Sequence, residues 1–230
     1  MALYSLRYSL PAVTNGLRAS YGGNQQLSHS STIKGAGCGL VAACDLFRYL
    51  NDHHPGCHCE LFDDLVAGEP LYIKNYNRIL DMLRGYFPII PKFGINGIML
   101  SLGINAFFLR HGYPYMAAWC VSPRNLWARI ERMLREDIPV IISVGPNFPL
   151  VWQKHKANLY AERAGDIRRV SSAKAHFMTV TAIDDKWLTL SSWGRKYYMS
   201  RSEYEQYVSM HSGSFASNIV YIRKIKSETE

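Results

Sequence analysis

The sequence predicts an α+β protein, because helical patterns occur in its first half and strand patterns in its second. Its 230 residues are 48% hydrophobic and 19% charged, a composition that supports a sizeable buried core. Apolar residues recur at helical spacing up to about residue 136, whereas short β-branched runs alternate with turns afterwards. We therefore expect one domain over residues 1–230, with a helical half at about 20–136 packed on an antiparallel sheet half at about 137–226.

Four helices are predicted from apolar periodicity and end signals. The first begins abruptly at Cys38, after a loop (13–37) rich in Gly, Ser, Asn and Gln, and runs to Leu50. The others are Asn75–Tyr86, Gly97–Arg110 with Asn96 as its cap, and a helix that starts at Ser122-Pro123.

The strands of the second half follow from short apolar runs bounded by turn residues. We expect strands at Pro139–Val144, Phe177–Ile183, Trp187–Leu190, Lys196–Met199 and Ile219–Ile225, with Asp184-Asp185 as a hairpin turn. The sequence leaves the structure of the long polar connection Phe148–Lys174 undetermined.

Charge and cysteine content limit the classes of partner and compartment. The net charge is +8, but the basic residues are scattered and form no long run, so we expect no nucleic-acid partner. Met1–Pro11 lacks the apolar core of a signal peptide, and no segment is long and apolar enough for a membrane span. Five cysteines, an odd number, favour reduced thiols and a cytoplasmic location. The oligomeric state is not readable from the sequence.

Cys38 is the first candidate catalytic residue. It lies in Gly35-Ala36-Gly37-Cys38-Gly39, where the loop becomes a helix. A helix N-terminus stabilises a thiolate, and its free N–H groups can hold an oxyanion. The small residues Gly37 and Gly39 are expected to leave room for a substrate backbone. The alternative is an inert, buried structural thiol.

His176 is the candidate base for that thiol. It begins a predicted strand late in the chain, at the Cys-to-His separation found in papain-type enzymes. A hairpin follows it, and then Ser191-Ser192-Trp193-Gly194.

Together these segments resemble the papain-like cysteine peptidases, in particular the bacterial group related to bacteriocin-processing peptidases. Gly37-Cys38-Gly39 resembles the family's Gly-Cys-Gly, Ala175-His176-Phe177 its strand-initial histidine, and Ser191-Ser192-Trp193-Gly194 its Asn-Ser-Trp-Gly. The passages 94–112, 122–144 and 198–204 also fit the bacterial group. The resemblance covers roughly residues 20–210 and implies a papain-like fold.

The resemblance also implies roles for individual residues. Ser191 takes the place of the Asn or Asp that orients the histidine, so a carboxylate from elsewhere is an alternative; Asp184 and Asp185 are nearest but lie at the wrong end of the strand. Thr32 takes the place of the Gln that donates to the oxyanion. The remaining implied residues are Gln25 and Gln26 as substitute oxyanion donors, the Cys38 N–H as the second donor, and Gly37, Gly39, Ala175 and Trp193 along the substrate cleft.

The function implied is that of a cysteine-dependent hydrolase, a peptidase or amidase, with no cofactor and no metal. His176 takes the Cys38 proton, and the thiolate–imidazolium pair attacks a carbonyl to give an acyl-enzyme. The basic residues of 148–174 suggest an acidic peptide or amide substrate. An acyltransferase of the same fold and a catalytically impaired binding protein are the alternatives.

Two further motifs are weaker. Gly35-Ala36-Gly37-Cys38-Gly39 partly matches a dinucleotide-binding loop, but Leu40 stands at the last glycine position and no buried strand precedes it. A cluster of possible zinc ligands lacks a distant second pair and is better explained as a polar loop at a helix end; its members are His53, His54, Cys57, His58 and Cys59.

Overall fold

The chain combines helices with one large antiparallel sheet, as the order of sequence patterns predicts. A computed structural model describes residues 3–145, 155–212 and 217–225. The helices are α1 (Ser31–Ala36), α2 (Cys38–His53), α3 (Ile73–Leu83), α4 (Gly97–Arg110), α5 (Leu126–Arg135) and α6 (Arg201–His211). The strands are β1 (Tyr4–Ser5), β2 (Val13–Thr14), β3 (Leu71–Tyr72), β4 (Tyr115–Trp119), β5 (Val140–Val144), β6 (Ala157–Arg163), β7 (Asp166–Ala173), β8 (His176–Ile183), β9 (Trp187–Ser192), β10 (Arg195–Ser200) and β11 (Ile219–Lys224).

The large sheet has nine strands in the described residues. Eight of them follow the order β4-β11-β5-β8-β9-β10-β6-β7, and β1 also pairs with β8. All its pairings are antiparallel. Strand β8 therefore lies inside the sheet, and every residue from His176 to Val180 is buried.

Helix α2 packs against β8 and is largely buried. Its residues from Gly39 to Leu50 are all buried, including Leu40, Leu46 and Leu50. They share one hydrophobic core with Val180 and Leu190 of the sheet. This packing brings the first residues of α2 next to the first residues of β8.

Several predicted elements agree closely with the structure. Helix α4 has the predicted ends, and the Asn96 side chain accepts a hydrogen bond from the Met99 N–H at 2.9 Å. The strands β5, β8, β9, β10 and β11 lie within two residues of their predicted bounds. The Asp184 carboxylate forms the β8–β9 turn by accepting from the N–H groups of Lys186 and Trp187.

Two expectations were wrong, and a connection that the sequence leaves undetermined contains a hairpin. The helical half also supplies β4, which pairs with β11 at one edge of the sheet, so the chain does not divide cleanly near residue 136. Residues 13–37 contain β2, α1 and a short 3₁₀ helix (Gln25–Leu27) instead of loop alone. The connection 148–174 contains the β6–β7 hairpin, because alternate residues of β6 (Ala157, Leu159) are buried; residues 146–154 lie outside the described part.

Helix α4 is buried on one face only, although most of its residues are apolar. Leu100, Ile104 and Phe107 are buried, whereas Ile98, Leu102 and Leu109 are exposed. Among the described helices, none combines the length and the hydropathy that crossing a bilayer requires.

Candidate active site

Cys38 is the first residue of α2 and faces the start of β8. Gly37 ends α1 and caps α2, so the chain turns sharply just before the cysteine. The residue is partly exposed, and the backbone N–H groups of Phe177, Gly39 and Cys38 itself lie against the thiol. These N–H groups lower the pKa of the thiol, but burial has the larger effect and raises it above the ordinary value.

His176 is buried at the start of β8, with two contacts that fix its ring. Its Nε2 lies 2.7 Å from the Ser192 hydroxyl oxygen. The indole of Trp193 stacks on the imidazole, with ring centroids 4.2 Å apart and an interplanar angle of 12°. When Nε2–H donates to Ser192, Nδ1 is the unprotonated nitrogen and can accept a proton.

The histidine contacts Ser192, not Ser191 as the resemblance implies. The Ser191 hydroxyl instead donates to the Tyr21 carbonyl at 2.7 Å. The Asp184 carboxylate does not take this position either, because it is engaged in the β8–β9 turn.

A β-bulge explains the exchange of the two serines. The β8–β9 register shifts by one residue between Val180 and Ala182, so that Thr179, not Val180, pairs with Ser191. Side chains alternate along a strand, so Ser191 shares a face with Thr179 and Ser192 shares the opposite face with His176. Without the extra residue, Ser191 would point to the side of His176.

Burial also sets the charge of the histidine. It lowers the pKa of His176 to about 4, because the charged imidazolium loses hydration inside the protein. Burial therefore favours a neutral imidazole and a neutral Cys38 thiol before substrate arrives.

Gln25 is the predicted oxyanion donor that lies in the same pocket as Cys38 and His176. It is buried in the 3₁₀ helix, and its Nε2 donates to the Lys34 carbonyl at 2.8 Å. One N–H of the amide remains for another acceptor.

The other two candidate donors lie elsewhere. Gln26 is exposed and donates to the same Lys34 carbonyl at 3.1 Å, and Thr32 lies in the first turn of α1. Neither residue lines the pocket that contains Cys38.

No protein-family model matches the chain, and neither the curated proteins nor the solved structures give a match. The membership in the papain-like peptidases stays a prediction.

The glycines beside Cys38, which the resemblance places along the substrate cleft, allow close packing of neighbouring segments. A Cβ on Gly39 would lie 2.7 Å from Ile95 Cγ2 and 3.3 Å from the Phe177 ring. A Cβ on Gly37 would meet Ile33 in α1 at 2.6 Å. Both glycines thus let neighbouring segments approach the start of α2.

The two remaining cleft candidates flank the histidine. Ala175 has a left-handed backbone (φ 49°) directly before His176 and does not line the pocket. Trp193, also left-handed (φ 48°), lines it. The left-handed turn at Trp193 directs its indole back over the imidazole.

Sequence reasoning missed Asp45, which forms part of the pocket wall. The pocket has a cavity volume of about 20 Å³ and is also lined by Val41 and Ala42 from the same face of α2. Asp45 is buried, and this raises the pKa of its carboxyl to about 7. A carboxylate within the apolar face of α2, two turns after Cys38, was the signal that could have identified it.

The basic hairpin β6–β7 contributes no residue to the pocket, and β9 and β10 lie between it and β8 in the sheet. The nearest of its arginines, Arg169, precedes Ala173 by four residues, about 13 Å along the strand. Arg168 pairs with Asp166 at 2.8 Å. The preference for an acidic substrate therefore gains no support from these arginines and stays a prediction.

The cysteine- and histidine-rich loop after α2 makes separate structural contacts. His54 contacts the Tyr115 hydroxyl and the Asp137 carbonyl, both at 2.7 Å, and the Cys59 sulfur lies 3.3 Å from His111 Nδ1. In the described part of the chain, no three His, Cys, Asp or Glu side chains are grouped as metal ligands would be. All five cysteines are free thiols.

Proposed function

We propose that the protein is a cysteine-dependent acyl hydrolase of papain-like type, a peptidase or amidase, with Cys38 as nucleophile and His176 as base. The observation that carries the proposal is that one pocket contains Cys38, His176 and Gln25, contributed by three separate segments. A thiol at a helix start, an oriented imidazole and an amide donor are the groups that acyl transfer requires.

The reaction begins with proton transfer from Cys38 to His176. The sulfur attacks the substrate carbonyl carbon as its proton passes to Nδ1, and the C–O π electrons move to the oxygen. The resulting imidazolium donates from Nε2 to the Ser192 oxygen, a bond that strengthens as the ring gains charge. The Trp193 face, stacked on the ring, also attracts the cation.

The oxyanion is held by backbone and side-chain donors near Cys38. The Cys38 N–H and the second N–H of the Gln25 amide are the donors that we assign. Collapse of the tetrahedral intermediate breaks the carbonyl–leaving-group bond, and the imidazolium protonates the departing amine. Water, deprotonated by the neutral His176, then hydrolyses the thioester and regenerates the thiol.

The neutral resting state of Cys38 and His176 favours one alternative to the hydrolase, a binding protein of the same fold. The Ser192 hydroxyl is a weaker partner for an imidazolium than a carboxylate or an amide oxygen. Such a protein would retain the pocket but form no acyl-enzyme. A test must therefore detect covalent chemistry at Cys38 itself.

The test is acylation by p-nitrophenyl acetate. The reaction is monitored by the release of nitrophenolate and by the mass of the intact protein. We expect one acetyl group on Cys38 and a burst that is lost in Cys38→Ala and His176→Ala. Cys120→Ala is the matched control, because Cys120 is also a partly exposed free thiol. A burst that survives in Cys38→Ala would refute the proposal; the absence of any acyl adduct would favour the binding protein. Adding an amine acceptor then separates hydrolase from acyltransferase, since only the latter transfers the acetyl group efficiently.

A further inference from the structure

A buried carboxylate holds the segment that carries the candidate oxyanion donor. Both oxygens of Asp45 accept from the Gly23 N–H, at 2.9 and 3.0 Å. Gly23 precedes Gln25 by two residues. Asp45 lies seven residues after Cys38 on α2, about 10 Å along the helix axis, so it does not contact the reacting sulfur.

The same segment is braced from α3 and from the turn after β9. The Tyr76 hydroxyl accepts from the Asn24 N–H at 3.0 Å. The Gly23 carbonyl accepts from the Gly194 N–H at 3.1 Å, and Tyr21 N–H donates to the Gly194 carbonyl at 2.8 Å. Residues 21–24 are therefore fixed on three sides. Among these partners, Asp45 has a carboxyl pKa that burial raises to about 7.

The two glycines of this segment are required by the contact with α2. A Cβ on Gly23 would lie 2.6 Å from Val41 Cγ1 and 2.9 Å from Asp45 Oδ1. A Cβ on Gly22 would lie 2.9 Å from Asp45 Oδ2, and its φ of +71° is left-handed. The backbone thus lies directly against the carboxylate with no side chain between them.

We propose that Asp45 is a positioning residue for the oxyanion site: its carboxylate fixes Gly23 and thereby places the Gln25 amide beside Cys38. This inference rests on the proposed function. Burying a carboxylate without a cationic partner in an apolar helix face costs free energy. Its bonds to the Gly23 N–H explain why α2 carries a carboxylate at this position.

The first test compares acylation with alkylation in Asp45→Ala. Acylation needs an oxyanion site, whereas alkylation of Cys38 by iodoacetamide does not. We expect acylation by p-nitrophenyl acetate to fall about 10- to 100-fold, somewhat less than complete loss of one oxyanion donor. Alkylation should keep its rate, and Asp45→Asn, whose amide oxygen can still accept from Gly23, should recover part of the loss. Asp52→Asn is the matched control, because Asp52 is a second buried carboxylate on α2, paired with Arg48.

A double-mutant cycle tests whether Asp45 acts through Gln25. If it does, Asp45→Ala combined with Gln25→Ala should acylate no more slowly than Gln25→Ala alone. Losses that add in the double variant would overturn the proposal, as would an equal loss of alkylation in Asp45→Ala.

The pH profile supplies a further readout. The groups that face Asp45 are Tyr76 from α3, Cys44 from α2 and, across the pocket, Cys38 and His176. Burial raises the pKa values of Tyr76, Cys44 and Cys38 and lowers the pKa of His176 to about 4, so Asp45 alone of these five ionises near pH 7. The ionised carboxylate binds the Gly23 N–H more strongly. Acylation should therefore increase as pH rises through about 7 in the wild type and lack this step in Asp45→Asn.

Hydrogen exchange separates this inference from the proposed function. In Asp45→Ala the amides of Gly23 and Gly194 should exchange at least about tenfold faster, while the middle of α2 stays protected. If the wild type forms no acyl-enzyme, the hydrolase is refuted. Faster exchange at Gly23 in Asp45→Ala would still support the contact between Asp45 and Gly23. Unchanged exchange at Gly23 would overturn the inference, whatever the activity.

Discussion

The contact between His176 and Ser192 gives the sharpest prediction, because the resemblance places the neighbouring Ser191 in this role. We expect Ser192→Ala to slow alkylation of Cys38 by iodoacetamide, since the Ser192 oxygen, 2.7 Å from Nε2, stabilises the imidazolium that accepts the thiol proton. Alkylation measures the ion-pair population directly and needs no oxyanion site.

The magnitude follows from the difference between a neutral and a charged hydrogen bond. A neutral bond contributes about 1 kcal/mol and a bond to a charged group about 2 to 2.5 kcal/mol. Removing the acceptor therefore disfavours the ion pair by about 1 to 1.5 kcal/mol, which lowers the alkylation rate about 5- to 13-fold. Ser192→Thr keeps the hydroxyl and should retain most of the rate.

The assay is the second-order alkylation rate of the peptide that contains Cys38, measured by mass spectrometry at several pH values. Cys120 is the internal reference, because it is partly exposed and burial raises the pKa of its thiol to about 12. Ser191→Ala is the matched control, since its hydroxyl bonds the Tyr21 carbonyl. An equal rate in Ser192→Ala, or a larger loss in Ser191→Ala, would refute the assignment of Ser192.

Three further predictions concern stability and ionisation. The carboxyl pKa of Asp45 is raised to about 7, so the folded state binds the extra proton and loses stability as pH rises from about 4 to 7. The loss amounts to at most about 4 kcal/mol, and Asp45→Asn should lack it. The free energies of unfolding in urea are measured for both proteins across these pH values, and identical pH dependences would contradict the prediction. Gly39→Ala should destabilise the protein by about 1–3 kcal/mol, because the added Cβ overlaps packed side chains. Gly35→Ala is the control, since nothing lies within 4 Å of the added Cβ. Equal urea midpoints for the two variants would exclude this explanation. Trp193→Ala should expose His176 to water and raise its pKa from about 4 toward 6.5, as followed by the NMR shifts of the ring protons; an unmoved titration would show that the indole does not shield it.

Local signals predicted the helices and strands whose ends carry a cap or a turn. Helix α4 begins at its Asn96 cap and ends before Gly112, as predicted. The Asp184 turn joins β8 and β9 through its own side chain. These features depend on residues that are neighbours in the sequence, so they can be read from it.

Strand β4 was missed because its residues favour no particular structure. Tyr-Met-Ala-Ala-Trp contains no β-branched residue, and its alternation of buried Tyr115 and Ala117 with exposed Met116 is short. It is a strand because β11 pairs with it and because the Asn105 side chain bonds both the N–H and the carbonyl of Ala117. Both partners lie outside the strand itself, and β11 lies about a hundred residues further along the sequence.

The same dependence on residues elsewhere in the chain decides which parts of the candidate site could be predicted. Cys38 and His176 could be predicted because each begins an element with a clear local pattern. Ser192 could not, because the bulge that turns it toward His176 depends on the register of β8 and β9. The placement of Gln25 depends on Asp45 and Tyr76, which fix the preceding residues from two different helices.

The pairing of β1 with β8 constrains the order in which the chain assembles. Tyr4 and Ser5 pair with Ile183 and Ala182, from opposite ends of the described chain. On the ribosome, Tyr4 and Ser5 emerge long before their partners, so this pairing must wait until β8 has been synthesised. His176 belongs to the same late strand. In a nascent chain, therefore, the Cys38 thiol and the His176 imidazole come together only when β8 enters the sheet.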